Sequence, residues 1–182
     1  KGLLKEAFDV PIWSASPSAD RILKDGEKLQ LGNQEWTVLH TPGHHPEHLC
    51  LISQSGLVAG DMVAGIGTIL IPPNEGDMIQ YIEQLERLLD LDPHLIFPSH
   101  GPVIPLPERT LEHYITHRIN RHNRVLDAVN SGISTLEEIA QFAYADTPDA
   151  HPGLAIDQTL SHLLSHEKVG NVRKSGQQWV RA

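Results

Sequence analysis

Cysteine is nearly absent from the sequence: Cys50 is the single copy in 182 residues. A lone cysteine excludes an internal disulfide framework and a zinc cluster built from cysteine thiolates. No apolar run approaches the roughly 18 residues that a membrane-crossing helix needs, so we expect no membrane partner. The lack of disulfides is typical of a reducing compartment, and a cytoplasmic location is the expectation.

Basic residues are also scarce, with 14 Lys and Arg against 23 Asp and Glu and a net charge of −9. The deficit lies in residues 1–105, whose net charge is −8, whereas residues 106–182 carry −1. An acidic surface repels a polyanion, and this repulsion disfavours a nucleic-acid partner. Histidine is abundant, with 12 copies, and it is the commonest metal ligand.

Short apolar runs separated by turn residues indicate strands through the first hundred residues. The predicted strands are Trp36–Leu39, Leu49–Ile52, Gly56–Ala59 and Leu95–Phe97. A helix that opens near Asp77 separates the last two, because apolar residues recur after it every three or four positions. Residues 1–105 are therefore predicted to form an α/β domain with buried strands.

The pattern changes near Pro105, and residues 106–182 are predicted to form a second, smaller α+β domain. Helices are predicted over 107–130, from a capping box at Ser134–Glu137 to about Tyr144, and over about 154–168 with Leu160, Leu163 and Leu164 on one face. A β-hairpin follows, with its turn at Lys174–Gly176. Three helices and a hairpin are the order of a winged helix-turn-helix.

The third of these helices carries only Lys168 against Asp157 and Glu167. A helix that reads nucleic acid is expected to be basic. The charge therefore favours packing or dimerisation over binding of nucleic acid.

Three residues of metal-ligand type follow three of the predicted strands. His44, Asp61 and His100 each stand just past a strand and beside a Gly or Pro. Loops at one end of a sheet are where α/β folds build their sites, and imidazole and carboxylate suit Zn, Fe or Mn. Each residue alone is explained as an ordinary loop residue, but the three together favour a shared metal site.

The motifs around these residues resemble the later ligand motifs of the metallo-beta-lactamase superfamily. They are Thr41-Pro42-Gly43-His44, Gly60-Asp61 and Pro98-Ser99-His100-Gly101-Pro102. The stretches Ala64–Thr68, Gly76–Tyr81 and Tyr114–Arg118 are similar to one subgroup of it. That subgroup carries a C-terminal winged-helix-like domain and includes a β-lactamase-like mitochondrial endoribonuclease.

The resemblance implies roles for the three residues. His44 would complete the three-histidine shell of a first zinc, Asp61 would bridge two metals as the predicted catalytic residue, and His100 would bind the second. It also implies an αββα sandwich and a hydrolase that uses a metal-bound hydroxide. The bond cleaved would be a thioester, a lactam or a phosphodiester, and the substrate a small molecule or RNA.

The family's upstream His-x-His-x-Asp-His motif does not occur in the 182 residues. We therefore expect residues 1–105 to be the C-terminal half of the sandwich, with the N-terminal half of the same fold as a missing partner. This chain alone is then expected to bind metal weakly and to be inactive. The alternatives are a single Fe(II) site of two histidines and one carboxylate, a non-catalytic fragment, or a winged-helix binding or dimerisation module. A homo-oligomer stays open.

The expected roles of the other histidines depend on the predicted element that carries them. His48 is expected either to orient a ligand from behind or to be a half-buried polar residue at a strand start. His162 and His166, one helical turn apart, are expected on the surface. The long helix carries six further basic residues that predict a solvated face, an interdomain face or a phosphate-binding face: His113, His117, Arg118, Arg121, His122 and Arg124. Cys50 is expected to be a buried, inert thiol.

Overall fold

A mixed five-stranded sheet forms the centre of the first half of the chain. A computed structural model describes residues 7–182, so residues 1–6 of the predicted 1–105 domain lie outside the described residues. The strands are β1 Trp13–Ser14, β2 Arg21–Ile22, β3 Lys28–Leu31, β4 Gln34–His40, β5 Leu49–Ser53, β6 Gly56–Gly60 and β7 Ile96–Pro98. The sheet has the order β3-β4-β5-β6-β7, antiparallel except for the parallel pair β6 and β7, while β1 and β2 form a separate parallel pair. The four strands predicted from the sequence are confirmed within three residues at their ends.

Helix α1, Met78–Asp90, connects β6 to β7 and covers one face of the sheet. Its N-cap is Asp77, whose carboxylate accepts hydrogen bonds from the backbone N–H groups of Ile79 and Gln80, both at 3.0 Å. The residues that it buries most completely are Met78, Tyr81, Leu85 and Leu88. They pack against Leu39, Cys50, Leu57, Ala59 and Ile96 of the sheet.

The opposite face of the sheet is apolar as well. The strand register places Val38, Leu51, Val58 and Phe97 in one row across four strands. Val38 is buried by a small cluster with Leu23 and Leu29, but Val58 is 39% exposed. An antiparallel sheet with one solvated face alternates apolar and polar residues, whereas strands buried on both faces are apolar throughout. The central strands β5, β6 and β7 have the second pattern, whereas β3 and β4 carry polar residues.

The second half consists of three helices and a hairpin, in the predicted order. The elements are α2 Pro107–Asn130, α3 Leu136–Ala143, α4 Pro152–Lys168, β8 Val172–Ser175 and β9 Gln178–Arg181. The predicted bounds of α2 are confirmed. Within residues 7–182, no helix combines the length and the apolarity that crossing a bilayer requires. The assignment of this half to the winged-helix class stays a prediction.

Three local details of the second half were predicted wrongly. The capping residue of α3 is Thr135, not Ser134: its hydroxyl oxygen accepts from the Glu138 N–H at 3.4 Å and lies 2.6 Å from the Glu138 carboxylate. Leu164 is 37% exposed and does not share the buried face of Leu163. The hairpin turn begins after Ser175, because the ladder of β8 and β9 runs to the pair Ser175 and Gln178.

Helix α2 joins two apolar cores. Leu111 and Tyr114, in its first half, belong to the core beneath the sheet, whereas Val125 and Val129 belong to a core shared with α3, α4 and the hairpin. A division of the chain at residues 105 and 106 is compatible with two cores, and it stays a prediction.

The predicted solvated or phosphate-binding face of α2 is wrong for two of its arginines. Arg118 is 2% exposed and donates hydrogen bonds to Gln158 of α4 at 3.1 Å, to Thr68 at 3.0 Å and to the Ile69 carbonyl. Arg121 is also buried, and it donates to the Ala143 carbonyl and, at 2.8 Å, to Asp146. The interdomain alternative describes Arg118, which joins α2 to Thr68 and Ile69 of the first half, whereas Arg121 joins α2 to the end of α3 within the second half.

The expectation that His162 and His166 lie on the surface is wrong. They are 0% and 2% exposed, in the interface between α4 and α2. The His122 ring stacks on that of His166 with centroids 3.6 Å apart, and His122 Nδ1 lies 3.1 Å from His162 Nδ1. Burial, together with the neighbouring His166, lowers the pKa of His122 from 6.5 to about 4, and burial also lowers the pKa of His162 and His166. The three imidazoles are neutral at pH 7.

We predict that the free energy of unfolding is constant between about pH 7 and 8 and falls as the pH drops from 6.5 towards 4. In that window the unfolded chain binds protons at these histidines and the folded chain does not, so acid favours unfolding. Urea titrations across this range measure the loss. His122→Gln should reduce it by on the order of 2 kcal/mol, after allowance for partial exposure.

The exposed His94 gives the matched control, since His94→Gln should leave the acid loss unchanged. Carboxylates with lowered pKa values, such as Asp25 and Asp77, add to the loss only below about pH 5. Equal acid loss in wild type and His122→Gln would contradict the prediction.

Candidate metal centre

The ends of three strands bring His44, Asp61 and His100 to one edge of the sheet. β6 and β7 are parallel neighbours, and β4 runs in the same direction because two antiparallel pairings separate it from β6. The carboxyl ends of all three strands therefore lie at the same edge, which is where open α/β sheets place their ligands. Asp61 follows β6 directly, and His100 stands two residues beyond β7.

The Asp61 carboxylate lies between the two imidazoles. Its Oδ2 is 3.7 Å from Nε2 of His44, and its Oδ1 is 3.2 Å from Nε2 of His100. His44 and Asp61 are half-buried, whereas the His100 side chain is 69% exposed. Each carboxylate oxygen thus faces a different histidine, and the structure brings together all three residues singled out in the sequence. Their role as metal ligands stays a prediction.

His44 is held in one orientation and one tautomer. Its Nδ1 lies 2.7 Å from the Leu70 carbonyl, which can only accept, so Nδ1 carries the proton and donates it. The lone pair on Nε2 is therefore left free on the side of Asp61. A histidine that binds a metal is typically held in this way, by a carbonyl on its other ring nitrogen.

Gly43 explains the motif that precedes His44. Its φ of +143° lies outside the range that L side chains favour. A Cβ atom at this position would lie 2.4 Å from Cα of Tyr81, so the loop can pack on α1 only with glycine. The Gly43 carbonyl also accepts a hydrogen bond from the Asp77 N–H at 2.8 Å. The loop that carries His44 is therefore pinned to the start of α1.

His48 supports Asp61 from behind. Its Nε2 accepts a hydrogen bond from the Asp61 N–H at 3.0 Å, and its Nδ1 lies 2.7 Å from the Thr41 hydroxyl. Gly60 has a φ of +53°, and a Cβ atom there would lie 2.6 Å from His48 Nε2. Of the two interpretations open in the sequence, the structure supports both: the imidazole is half-buried, and it also orients the backbone of a candidate ligand.

From His48 a chain of polar contacts leads through Thr41 and Cys50 into the core. Since Nε2 of His48 accepts, its Nδ1 carries the proton and donates to the Thr41 hydroxyl. That hydroxyl lies 3.3 Å from Sγ of Cys50, whose thiol donates to the Ala59 carbonyl at 3.4 Å. Desolvation and the neighbouring His44 imidazole lower the pKa of His48 to about 4, and burial raises the pKa of Cys50 to about 12. His48 is therefore neutral at pH 7, and the Cys50 thiol is buried and inert, as predicted.

The chemistry of the donor set fits a divalent metal. Asp61 Oδ1 is buried and accepts no hydrogen bond from any described residue, although an unsatisfied buried oxygen is costly. Imidazole nitrogen and carboxylate oxygen are the donors that Zn, Fe and Mn accept. Within residues 7–182, however, no three His, Cys, Asp or Glu side chains are arranged to hold an ion by themselves. The three residues fit part of a ligand set.

Two tyrosines that the sequence did not connect with the site hold the segment after Asp61. The Tyr81 hydroxyl donates to the Met62 carbonyl at 2.6 Å. The Tyr114 hydroxyl accepts from the Ala64 N–H at 3.0 Å and lies 3.1 Å from the Gly67 carbonyl. Burial raises the pKa of both phenols. Their spacing in the sequence carries no signal for these contacts, because both side chains belong to helices that pack on the loop from outside.

A comparison with known proteins supports this architecture. The sequence model of the metallo-beta-lactamase superfamily matches residues 2–100, more than half of the chain. The chain belongs to the metallo-beta-lactamase superfamily. Members of this superfamily are generally hydrolytic.

The matches to known relatives include most of this chain but only about half of each relative. The Beta-lactamase-like protein 2 homolog of Drosophila melanogaster is 34% identical over 155 residues, which are 79% of this chain and 51% of the relative. The Lactamase-like protein aptB of Emericella nidulans is 30% identical over 181 residues, 90% of this chain and 57% of the relative. The chain thus spans about half the length of the curated relatives that it matches.

A crystal structure shares the fold over both halves of the chain. It is that of a metallo-beta-lactamase family protein from Thermus thermophilus, with a TM-score of 0.73 and 22% identity. The match covers 91% of this chain and 56% of that one. At this level of identity the likeness concerns the fold alone.

We predict that His48→Ala lowers the free energy of unfolding by about 2 kcal/mol. The substitution leaves the Asp61 N–H without its acceptor in a partly desolvated loop, which is costly. Urea denaturation of the 182-residue chain measures the change. His94→Ala is the control, because His94 is exposed, and it should change stability by less than about 0.5 kcal/mol. Equal stabilities of the two variants would mean that His48 does not support the Asp61 loop.

Proposed function

We propose that this chain forms part of a metal-dependent hydrolase in which Asp61 lies between two metal-binding histidines, His44 and His100. The observation that carries the proposal is the position of the Asp61 carboxylate, with one oxygen towards each imidazole Nε2. A carboxylate with its two oxygens directed to different imidazoles can hold one cation beside each of them. The hydrogen bond from His44 to the Leu70 carbonyl supports the same role, since it leaves Nε2 free to coordinate.

A bound divalent metal lowers the pKa of water from about 15.7 to about 7 and polarises the oxygen of the bond to be cleaved. The residues of this chain have supporting tasks. His44 and His100 would donate imidazole lone pairs to the metal, and the Asp61 carboxylate would offset its positive charge. His48 keeps the Asp61 backbone in place. Its low pKa keeps the imidazole neutral at pH 7, so its Nε2 lone pair stays available to the Asp61 N–H.

The finer proposal is that the sheet is one half of an αββα sandwich whose other half lies outside these 182 residues. The row that contains Leu51, Val58 and Phe97 is apolar and partly open, so a second apolar layer would complete it. The missing His-x-His-x-Asp-His motif would supply the remaining ligands. The span of about half the length of the relatives supports this proposal as well.

For the second half of the chain we propose a winged-helix-like packing domain rather than a nucleic-acid reader. Helix α4 occupies the place of a recognition helix, but one side of it is docked on the segment after Asp61. Gln158 exchanges hydrogen bonds with the Ile71 backbone, accepting its N–H at 3.2 Å and donating to its carbonyl at 2.9 Å, and Ser161 donates to the same carbonyl at 2.6 Å. A helix held in this way, with Asp157 and Glu167 against Lys168, is poorly suited to a phosphate backbone.

A small molecule with a thioester or lactam bond is the substrate class that we favour over RNA. The net charge of −8 on residues 1–105 repels a polyanion near the site. The thioester, lactam and phosphodiester alternatives differ in the group attacked, not in the residues of this chain that hold the metal.

We predict that Asp61→Ala, in a protein that carries both halves of the fold, removes one of two metal equivalents and most of the hydrolytic rate. The carboxylate is the one group among the described residues that lies between the two histidines, so its loss should separate the metals. Asp90→Ala is the matched control, because Asp90 is an exposed aspartate at the end of α1. Metal analysis by mass spectrometry and hydrolysis of a chromogenic lactam or thioester are the measurements.

Two metals and full rate in Asp61→Ala would contradict the assignment. The 182-residue chain alone should bind less than one equivalent of zinc, since it contributes only part of each ligand set. A non-catalytic protein is distinguished by near-zero metal with both halves present.

A further inference from the structure

A cleft of about 440 Å³ lies between the loops that follow Asp61 and His100 and the start of α2, and it has no role in the chemistry described above. Its wall includes Gly65, Pro102, Val103, Leu106, Arg109 and His113. It combines residues of three segments: the loop after Asp61, the loop after His100 and the first turns of α2. A concave site with mostly apolar walls and a few polar groups is the usual form of a small-molecule pocket.

The cleft is joined to the loop that carries His100. The Gly65 N–H donates a hydrogen bond to the His100 carbonyl at 2.8 Å, and Pro102 stands two residues after His100. Gly101 packs so closely that a Cβ atom on it would lie 2.8 Å from the Ile66 nitrogen. The wall of the cleft and the backbone of His100 therefore form one packed unit.

Arg109 is a cation without a partner at this cleft. No described residue forms an ion pair or hydrogen bond with its side chain. Four other arginines are paired with carboxylates: Arg21 with Glu27, Arg87 with Asp25, and Arg121 and Arg124 with Asp146. Like Arg109, Arg173 and Arg181 form no ion pair with a described residue, but they lie on the hairpin and line no part of the cleft. An exposed guanidinium on the wall of a cleft, with no partner among the described residues, can bind an external oxyanion.

His113 adds a second polar group one helical turn further along α2. It lines both this cleft and an adjoining cavity of about 60 Å³ whose wall includes Thr68 and His117. Arg109, His113 and His117 are spaced four residues apart and so lie on one face of the helix. Glu108 and Glu112 of the same helix are not part of the wall of the cleft.

The remaining wall is apolar and open to solvent. Val103 is 47% exposed and Leu106 is 61% exposed, although both are large aliphatic residues. Exposed apolar side chains around a polar anchor indicate a ligand with an apolar segment and a charged end.

We propose that this cleft binds an amphipathic anion: an acyl or aryl segment along Val103 and Leu106 that ends in a carboxylate or phosphate group at Arg109 and His113. The proposal rests on the proposed function in one respect, because the bond to be cleaved would lie at His44, Asp61 and His100 while the anionic end lies in the cleft. It names a substrate class, an apolar chain with a remote anionic group, and accounts for an arginine beside the site that has no partner among the described residues.

The test uses the ¹⁵N-labelled 182-residue chain in the presence of EDTA, with three probes of equal chain length: hexyl phosphate, hexanoate and hexan-1-ol. We expect the two anions to shift the amide signals of Gly65, Val103, Leu106 and Arg109, and the alcohol to bind at least about tenfold more weakly. Arg109→Gln should weaken the binding of the anions by about tenfold. Arg173→Gln, an exposed arginine on the hairpin, is the matched control and should bind them as wild type does.

The relative affinity of the two anions separates the two chemistries. Tighter hexyl phosphate supports the proposal with a phosphate-bearing substrate, and tighter hexanoate supports it with a carboxylate-bearing one. Equal binding of the alcohol and the anions, unchanged affinity in Arg109→Gln, or signal changes only outside the cleft would overturn the proposal. Asp61→Ala should bind both anions as wild type does, because Asp61 is not part of the wall of the cleft. Anion binding in the cleft and metal binding at Asp61 are therefore tested separately, and either proposal can fail while the other stands.

Discussion

The site depends on a hydrogen bond between a neutral imidazole and a backbone amide. Because Nε2 of His48 accepts from the Asp61 N–H, the Asp61 backbone is fixed and its carboxylate is free to face its neighbours. Gly60 makes the contact sterically feasible, since any side chain there would collide with the same ring. The low pKa of His48 preserves its acceptor at neutral pH, so the arrangement survives beside two further imidazoles.

A second set of contacts connects the C-terminal helices to the same site. Gln158 and Ser161 of α4 hold the Ile71 backbone, and the preceding residue, Leu70, holds His44 through its carbonyl. Arg118 of α2 secures the same segment at Ile69. The second half of the chain is therefore a scaffold for the loop that orients His44, which explains why Arg118 on α2 is buried rather than solvated.

The parts of this structure that could be predicted from the sequence are those with local causes. Apolar runs between turn residues defined β4 to β7, and a regular apolar period with a terminal Ser-Gly defined α2. The positions of His44, Asp61 and His100 after strands followed from those strands. The burial of Arg118 and His162 could not be predicted, because their partners lie about 40 to 50 residues away and only the packing of α2, α4 and the loop brings them together. The cap at Thr135 instead of Ser134 was ambiguous, since Glu follows three residues after either one.

Nitrogen-15 NMR of the histidine rings of the 182-residue chain, recorded at pH 7 before and after addition of zinc, tests the central claim most directly. We predict that His48 is neutral with its proton on Nδ1, that His44 has the same tautomer, and that zinc shifts Nε2 of His44 and His100 but not the rings of His94 or His162. A proton on Nε2 of His48, or a response to zinc that bypasses both His44 and His100, would contradict the account.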